Sequence, residues 1–289
     1  MKKLIIILGV VGASLSAILV RYSDCPSTVL VFYRMFFSVV LLLPGVIKMG
    51  ISEYGKTAKK DLLLCAVSGL FLGLHFSFYF ESLKFTSIAS SVALVDTEVF
   101  FVAMGGLIFL KERLSVVGWI CIVVTFVGSV IVALGDMAGG AIKGDLLALA
   151  GAVCVGIYTL IGRQMRKTMS TTAYTWIVYL VAAVVVLIVS SVSGNFVVPV
   201  SMRNMLIGLG LTVFCTLLGH SIFSWGLKYE KAAFVSTAKL LEPVFASIIG
   251  FFLFTEVPPL TSVIGGVLII VGIVFLCKDE ASKEEAPAA

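Results

Sequence analysis

Ten apolar runs dominate this chain, near residues 4–20, 28–47, 62–83, 87–109, 115–134, 144–162, 172–192, 204–227, 232–254 and 260–277. Each approaches the roughly 20 residues that a helix needs to cross the hydrocarbon core of a bilayer. No water reaches backbone N–H and C=O groups in that core, so a spanning segment must be a helix or a strand of a closed barrel. The runs are continuous and do not alternate at period two, which argues against a barrel. Composition agrees: 60% of the 289 residues are hydrophobic and 13% are charged, where a soluble domain has about a quarter charged. A cytosolic enzyme, a disordered chain and a secreted disulfide scaffold are thereby excluded. The expected fold is an all-α polytopic membrane protein with ten transmembrane helices.

The first run follows Lys2 and Lys3 and ends in small residues, which gives it some features of a signal peptide. It also has a partner later in the chain, so it is read as a retained first helix. Of the 21 Lys and Arg residues, 15 fall in loops or termini on one side of the predicted topology and 4 on the other. That asymmetry predicts both termini in the cytoplasm of a multi-pass protein of the plasma membrane. It also explains the net charge of +5 as a topology signal, with no nucleic-acid partner implied. Residues 278–289 are polar and are expected to form a disordered cytoplasmic tail. Cys25, Cys65, Cys121, Cys154, Cys215 and Cys277 contain no C-x-x-C pair and lie mostly in apolar runs, so they are read as packing residues.

The two halves repeat. A shift of 144 positions carries Leu74 onto Leu218, Ser77 onto Ser221, Lys84 onto Lys228, Glu98 onto Glu242, Gly106 onto Gly250, Glu112 onto Glu256 and Gly128 onto Gly272. A shift of 142 carries Gly9 onto Gly151 and Arg21 onto Arg163. Five helices per half is an odd number, so the second half enters the membrane from the opposite side. The expected domains are a first repeat over 1–135 and a second over 144–277, inverted with respect to each other. Inverted repeats are a common transporter architecture, with substrate bound near the midplane between them.

The stretches HFSFYFESLKFTSIASSVALVDTE (75–98), FLKERLS around Glu112, GDLLALAGA from Gly144, GHSIFSWGLKYE from Gly219, LEPVFA from Leu241 and FTEVP around Glu256 resemble the EamA-type branch of the drug/metabolite transporter superfamily. The resemblance spans roughly residues 4–277. It implies ten helices in two inverted repeats around a central cavity lined chiefly by helices 3, 4, 8 and 9. It also implies movement of small metabolites, often efflux of amino acids. This chain has Glu98-Val99 where the family often has a proline after the acid or amide, so a kink is expected in helix 9 at Pro243 and not in helix 4. Asp96 stands where a small or hydroxyl residue is common.

Charges inside a bilayer cost several kcal/mol and usually face a partner or a wet cavity. The interior ionisable residues are Arg34, His75, Asp96, Glu98, His220, Lys239 and Glu242. Lys239 and Glu242 are three apart and positioned to pair on one helix face. Asp96 and Glu98 are two apart, about 200° around a helix, and cannot share a face; Asp96 is expected to meet Arg34 or Lys239. His75 and His220 suit either an interhelical hydrogen bond or proton coupling, while two histidines alone are too few for a metal centre. Tyr79 and Trp225 belong to aromatic clusters able to stack on a substrate ring or cation. Glu112 and Glu256 read as anchors of helix ends. Ser90, Ser91, Ser236 and Thr237 are placed to bond a ligand or join helices.

The candidate substrate-binding or coupling residues are therefore His75, Tyr79, Asp96, Glu98, His220, Trp225, Lys239 and Glu242. No nucleophile elbow, zincin motif or Walker A motif occurs, so neither an enzyme nor an ATP-driven pump is expected, and no cofactor or metal. The expected function is secondary active transport by alternating access, with efflux of amino acids or related polar or zwitterionic compounds across the cytoplasmic membrane and a proton as the candidate coupling ion. Export of lipophilic cationic drugs is the alternative. The partners expected are the substrate and the lipid bilayer.

Overall fold

The structure is a computed structural model, and it describes residues 1–49, 52–86, 88–134, 142–195, 200–254 and 260–285. The first half holds α1 (Lys2–Arg21), α2 (Ser27–Met49), the short α3 (Ser52–Lys56), α4 (Lys59–Ser82), α5 (Ile88–Asp96), α6 (Glu98–Phe109) and α7 (Val116–Leu134). The second holds α8 (Ile142–Met165), α9 (Thr171–Val192), α10 (Met202–Gly210), α11 (Ser221–Gly226), α12 (Ala232–Lys239), α13 (Glu242–Phe254) and α14 (Leu260–Glu285). Leu211–His220, between α10 and α11, winds as a π-helix. There is no strand among the described residues. Nine stretches of them are long and apolar enough to cross a membrane, and Val116–Val132 is a shorter apolar tenth. Large apolar side chains such as Ile47, Ile108, Phe252 and Phe275 point outward, as expected where the surrounding solvent is lipid.

Helix ends follow local chemistry. The Ser170 and Ser201 hydroxyls accept from the backbone N–H groups of Ala173 and Asn204, at 3.2 and 3.3 Å, and cap α9 and α10. After α6, Lys111 adopts the left-handed conformation (φ 57°), and Glu112 N–H turns back to donate to the Gly106 carbonyl at 3.0 Å.

Two spans are interrupted, where the sequence predicts only one. α5 stops at Asp96, and Thr97 N–H and Oγ1 both turn back to the Leu94 carbonyl, at 3.2 and 2.6 Å. α12 stops at Lys239, and Leu240 and Leu241 donate to the carbonyls of Thr237 and Ala238, both at 3.1 Å, before α13 begins. The first break needs no proline, because a threonine hydroxyl that bonds to nearby backbone competes with the regular helical ladder. Thr97 and Leu241 are partners under the 144 shift, so the breaks occupy matching places.

The packing pattern is reciprocal. α1 lies against the π-helical segment, α11, α12 and α13, all in the second half; α8 lies against α4, α5 and α6, all in the first. α2 packs on α9, and α7 packs on α14. Glycines set the closest approaches. A Cβ on Gly69 would sit 2.6 Å from the Val178 carbonyl oxygen, and one on Gly73 would sit 2.9 Å from Val185 Cβ, so this G-x-x-x-G pair lets α4 rest on α9. A Cβ on Gly128 would lie 2.7 Å from the Gly265 carbonyl oxygen, across the α7–α14 seam. The segment from Lys278, expected to be disordered, continues α14 as far as Glu285. Its start is held by Ser115, which donates to Asp279 at 2.8 Å, and by the Lys231–Glu280 ion pair at 3.1 Å.

Candidate functional site

Two layers of charge run across the bundle. The first lies at the end that carries both termini. Glu112, delivered by the Lys111 turn, accepts from Arg163 Nε at 2.5 Å and from Ala232 N–H at 3.1 Å. Arg163 also donates to the Leu227 carbonyl at 2.6 Å. Lys231 donates to the Arg113 carbonyl at 2.9 Å as well as pairing with Glu280. Arg166 is 2% exposed; its Nε donates to the Ser224 carbonyl at 3.1 Å, one terminal nitrogen to the Met169 carbonyl and the other to Thr171 Oγ1 at 2.7 Å. The anchoring role expected of Glu112 matches this geometry. Glu256 lies outside the described residues.

The second layer sits deeper, at the two helix breaks. Lys239, at the end of α12, forms an ion pair with Glu98, the first residue of α6. The sequence predicts that Lys239 pairs with Glu242. The break at Leu240–Leu241 removes the regular three-residue helical spacing on which that expectation rests. Glu242 consequently makes no hydrogen bond or ion pair to any described residue, though its carboxylate stays within electrostatic reach of Lys239, Asp96, Glu98 and Arg34. Glu98 is 5% exposed, and its second oxygen has no partner. Asp96, expected to meet Arg34 or Lys239, instead accepts from the Ser129 hydroxyl of α7; the break at Thr97 sends Asp96 and Glu98 to different neighbours.

Aromatic rings and histidines surround these charges. Where α4 packs on α8, His75 Nδ1 donates to the Gly151 carbonyl at 3.0 Å. The His75 ring is parallel to Tyr79 at 6.1 Å. His220, the last residue of the π-helical segment, packs edge-on to Phe76 at 5.5 Å and to Phe223 at 6.0 Å. Its ring makes no hydrogen bond among the described residues. Tyr158 bonds Ser224 and Tyr179 bonds Ser221, both at 3.0 Å.

Of the candidate residues, His75, Tyr79, Asp96, Glu98, His220, Lys239 and Glu242 come together, while Trp225 does not. Trp225 packs on Tyr229 at 4.8 Å, and Tyr229 lies under the Lys2 ammonium at 4.6 Å, near the terminal end of the bundle. Ser91 joins α5 to α4 through Ser82 at 2.5 Å, Thr237 bonds its own helix, and Ser236 Oγ is buried without a partner; the side chain of Ser90 lies outside the described residues. Arg34, read in the sequence as an interior charge but not carried into the candidate list, lies beside these residues. It is 3% exposed, donates through Nε to Thr216 Oγ1 at 2.8 Å, and lies 4.6 Å over the Phe76 ring. Thr212, one π-turn earlier, donates to the Arg34 carbonyl at 2.8 Å. A buried arginine in an apolar run was the available signal, but it has no partner under the repeat shift.

Two grooves lie at the periphery of the bundle. One of about 540 Å³ is lined by Leu19, Tyr22, Arg203, Leu206 and Ile207. The other, of about 380 Å³, runs between α13 and α14 over Val244, Phe251 and Gly266. Neither includes an interior charge of the deeper layer. Chemically, that layer offers a cationic group, two carboxylates with unused hydrogen-bonding capacity and several ring faces, all enclosed between the halves.

Comparison with known proteins accords with this architecture. The family model described as the EamA-like transporter family matches residues 2–134 and again 142–277. The uncharacterized transporter YyaM of Bacillus subtilis is 30% identical over 74% of this chain and 74% of its own length. The pseudopaline exporter CntI of Pseudomonas aeruginosa is 24% identical over 88% of this chain and 87% of its own. A crystal structure superposes with a TM-score of 0.81 at 17% identity, covering 99% of both chains, and so shares the fold. The chain belongs to the EamA-like transporter family.

Proposed function

We propose that this protein is a secondary active transporter that exports small polar or zwitterionic metabolites, amino acids foremost, across the cytoplasmic membrane. The observation that carries the reading is the meeting of Asp96, Glu98, Lys239 and Glu242 at two matched helix breaks, enclosed by His75, Tyr79 and His220. Interior charges are costly in a bilayer and are retained where they meet a substrate or an ion. Broken helices at a repeat interface are the places where transporters bind their cargo. The reciprocal packing of α1 and α8 on the opposite halves supports two inverted repeats, 1–135 and 144–277, that rock about the site to give alternating access. The Lys and Arg asymmetry supports cytoplasmic termini.

Glu242, which has no bonded partner among the described residues and lies within electrostatic reach of Tyr79, also favours a second reading, proton-coupled export of lipophilic cations. Proteoliposomes separate the two. Uptake of radiolabelled amino acids, measured with and without an imposed pH gradient, is expected to exceed that of empty vesicles, with no uptake of a cationic dye. Dye movement without amino-acid movement would establish the second reading, and movement of neither would refute both.

A further inference from the structure

We infer that Arg34 is the docking point for a carboxylate on the transported molecule. The inference rests on reading the interior as a binding site, and it assigns the acidic end of the substrate to a residue outside the charged pairs. A guanidinium stays protonated at any physiological pH, so Arg34 is a permanent cation buried to 3% exposure. Its Nε is held by Thr216, and its two terminal nitrogens donate to no described residue. Among the described residues no carboxylate forms an ion pair with it: Glu98 is engaged by Lys239, Asp96 by Ser129, and Glu242 is within electrostatic reach only. Arg166, equally buried, shows what a structural arginine looks like in this protein, since all three of its nitrogens are bonded.

The free edge of Arg34 is also fixed in place. Thr212 and Ser38 both donate to its backbone carbonyl, at 2.8 and 2.7 Å, Thr216 holds Nε, and the Phe76 ring lies against one face of the guanidinium. A planar fork with two unused nitrogens matches the geometry of a carboxylate, which it binds in bidentate fashion. An approaching carboxylate would neutralise the cation without disturbing either ion-paired layer, and an aromatic or aliphatic body beside it would meet Phe76.

The test uses the full-length protein purified in detergent, with benzoate as the carboxylate probe and benzamide as its uncharged isostere. Benzoate at ten times its dissociation constant is expected to raise Tm by about 3 °C, and benzamide to leave it unchanged. Arg34→Gln is expected to abolish the benzoate shift. Arg34→Lys, which keeps the charge but loses the fork, is expected to weaken benzoate binding about tenfold. A benzoate shift that survives in Arg34→Gln, or that benzamide reproduces, overturns the inference. If Arg34→Gln does not fold, Arg34→Lys decides, and unchanged benzoate affinity there overturns it. Amino-acid uptake in proteoliposomes separates this outcome from the broader reading. An Arg34-dependent benzoate shift in a protein that moves no amino acid leaves the carboxylate site standing and sinks the proposed substrate class. Normal amino-acid uptake by Arg34→Gln sinks the site and leaves the carrier.

Discussion

Glu112 and Glu242 each stand at the edge of a helical segment, and both are drawn inward, but their surroundings differ. Glu112 is bonded by Arg163 and by the Ala232 amide, within a layer where Arg166, Lys231 and Glu280 also have partners. Glu242 has none among the described residues, and its layer contains one ion pair, Lys239–Glu98, with an unused oxygen on Glu98 and unused nitrogens on Arg34. Charges that complete each other fasten helices. Charges left incomplete in a low-dielectric interior keep their full appetite for an incoming group, because leaving them unmet costs free energy. The outer layer is thus closed by its own partners, while the deeper one keeps unused hydrogen-bonding groups beside its one ion pair.

The contrast can be broken most forcefully at the single pair of the deeper layer. Lys239→Met removes the partner of buried Glu98 and is expected to destabilise the protein by about 3–5 kcal/mol. Adding Glu98→Gln is expected to restore monodisperse protein on size-exclusion chromatography. Equal yields from the single and double variants would show that the pair is not structural. Glu112→Gln comes next: it keeps the shape of the anchor but removes its charge, lowering stability by about 1–3 kcal/mol in thermal unfolding, with the KM for transport unchanged. Glu242→Gln is expected to do the opposite, leaving Tm as it is and reducing uptake on the order of tenfold, or about 1.4 kcal/mol; a Tm loss like that of Glu112→Gln would erase the distinction between layers. Lys111→Gly relieves a left-handed side chain and is expected to raise stability by up to about 1 kcal/mol.

The smallest effect lies at the far end, where Asn204 donates to Asp24 at 2.5 Å and holds that carboxyl below its usual range. A depressed folded-state value means that the contact stabilises above the ordinary carboxylate pKa and is lost as the pH falls through the lowered one. The Tm gap between wild type and Asp24→Asn is therefore expected at pH 7 and to close in acid.

Apolar run length made the helical class legible, since a bilayer admits few alternatives, and the glycine and glutamate coincidences between the halves pointed to an internal repeat, with a break expected only at Pro243. Seven of the eight candidate side chains are gathered in the deeper layer, and Trp225 is not, because a residue type says nothing about depth along its helix. The Lys239–Glu98 partnership joins positions 141 apart, and only the turn after α12 decides it against the nearer Glu242. The break at Thr97 was hidden for a similar reason, as a threonine hydroxyl opens it without proline. Arg34 depends on Thr212 and Thr216 being brought round by a π-helix, whose apolar sequence reads like that of any other span.

At the α7–α14 seam, Gly128 and Gly265 bring backbone against backbone, with no side chain to yield between them. Such a joint behaves like the spine of a book: it tolerates turning far better than sliding or parting. Any widening of the interior would then pivot on that seam without parting it, and a single added methyl group at the spine would be felt by both covers at once.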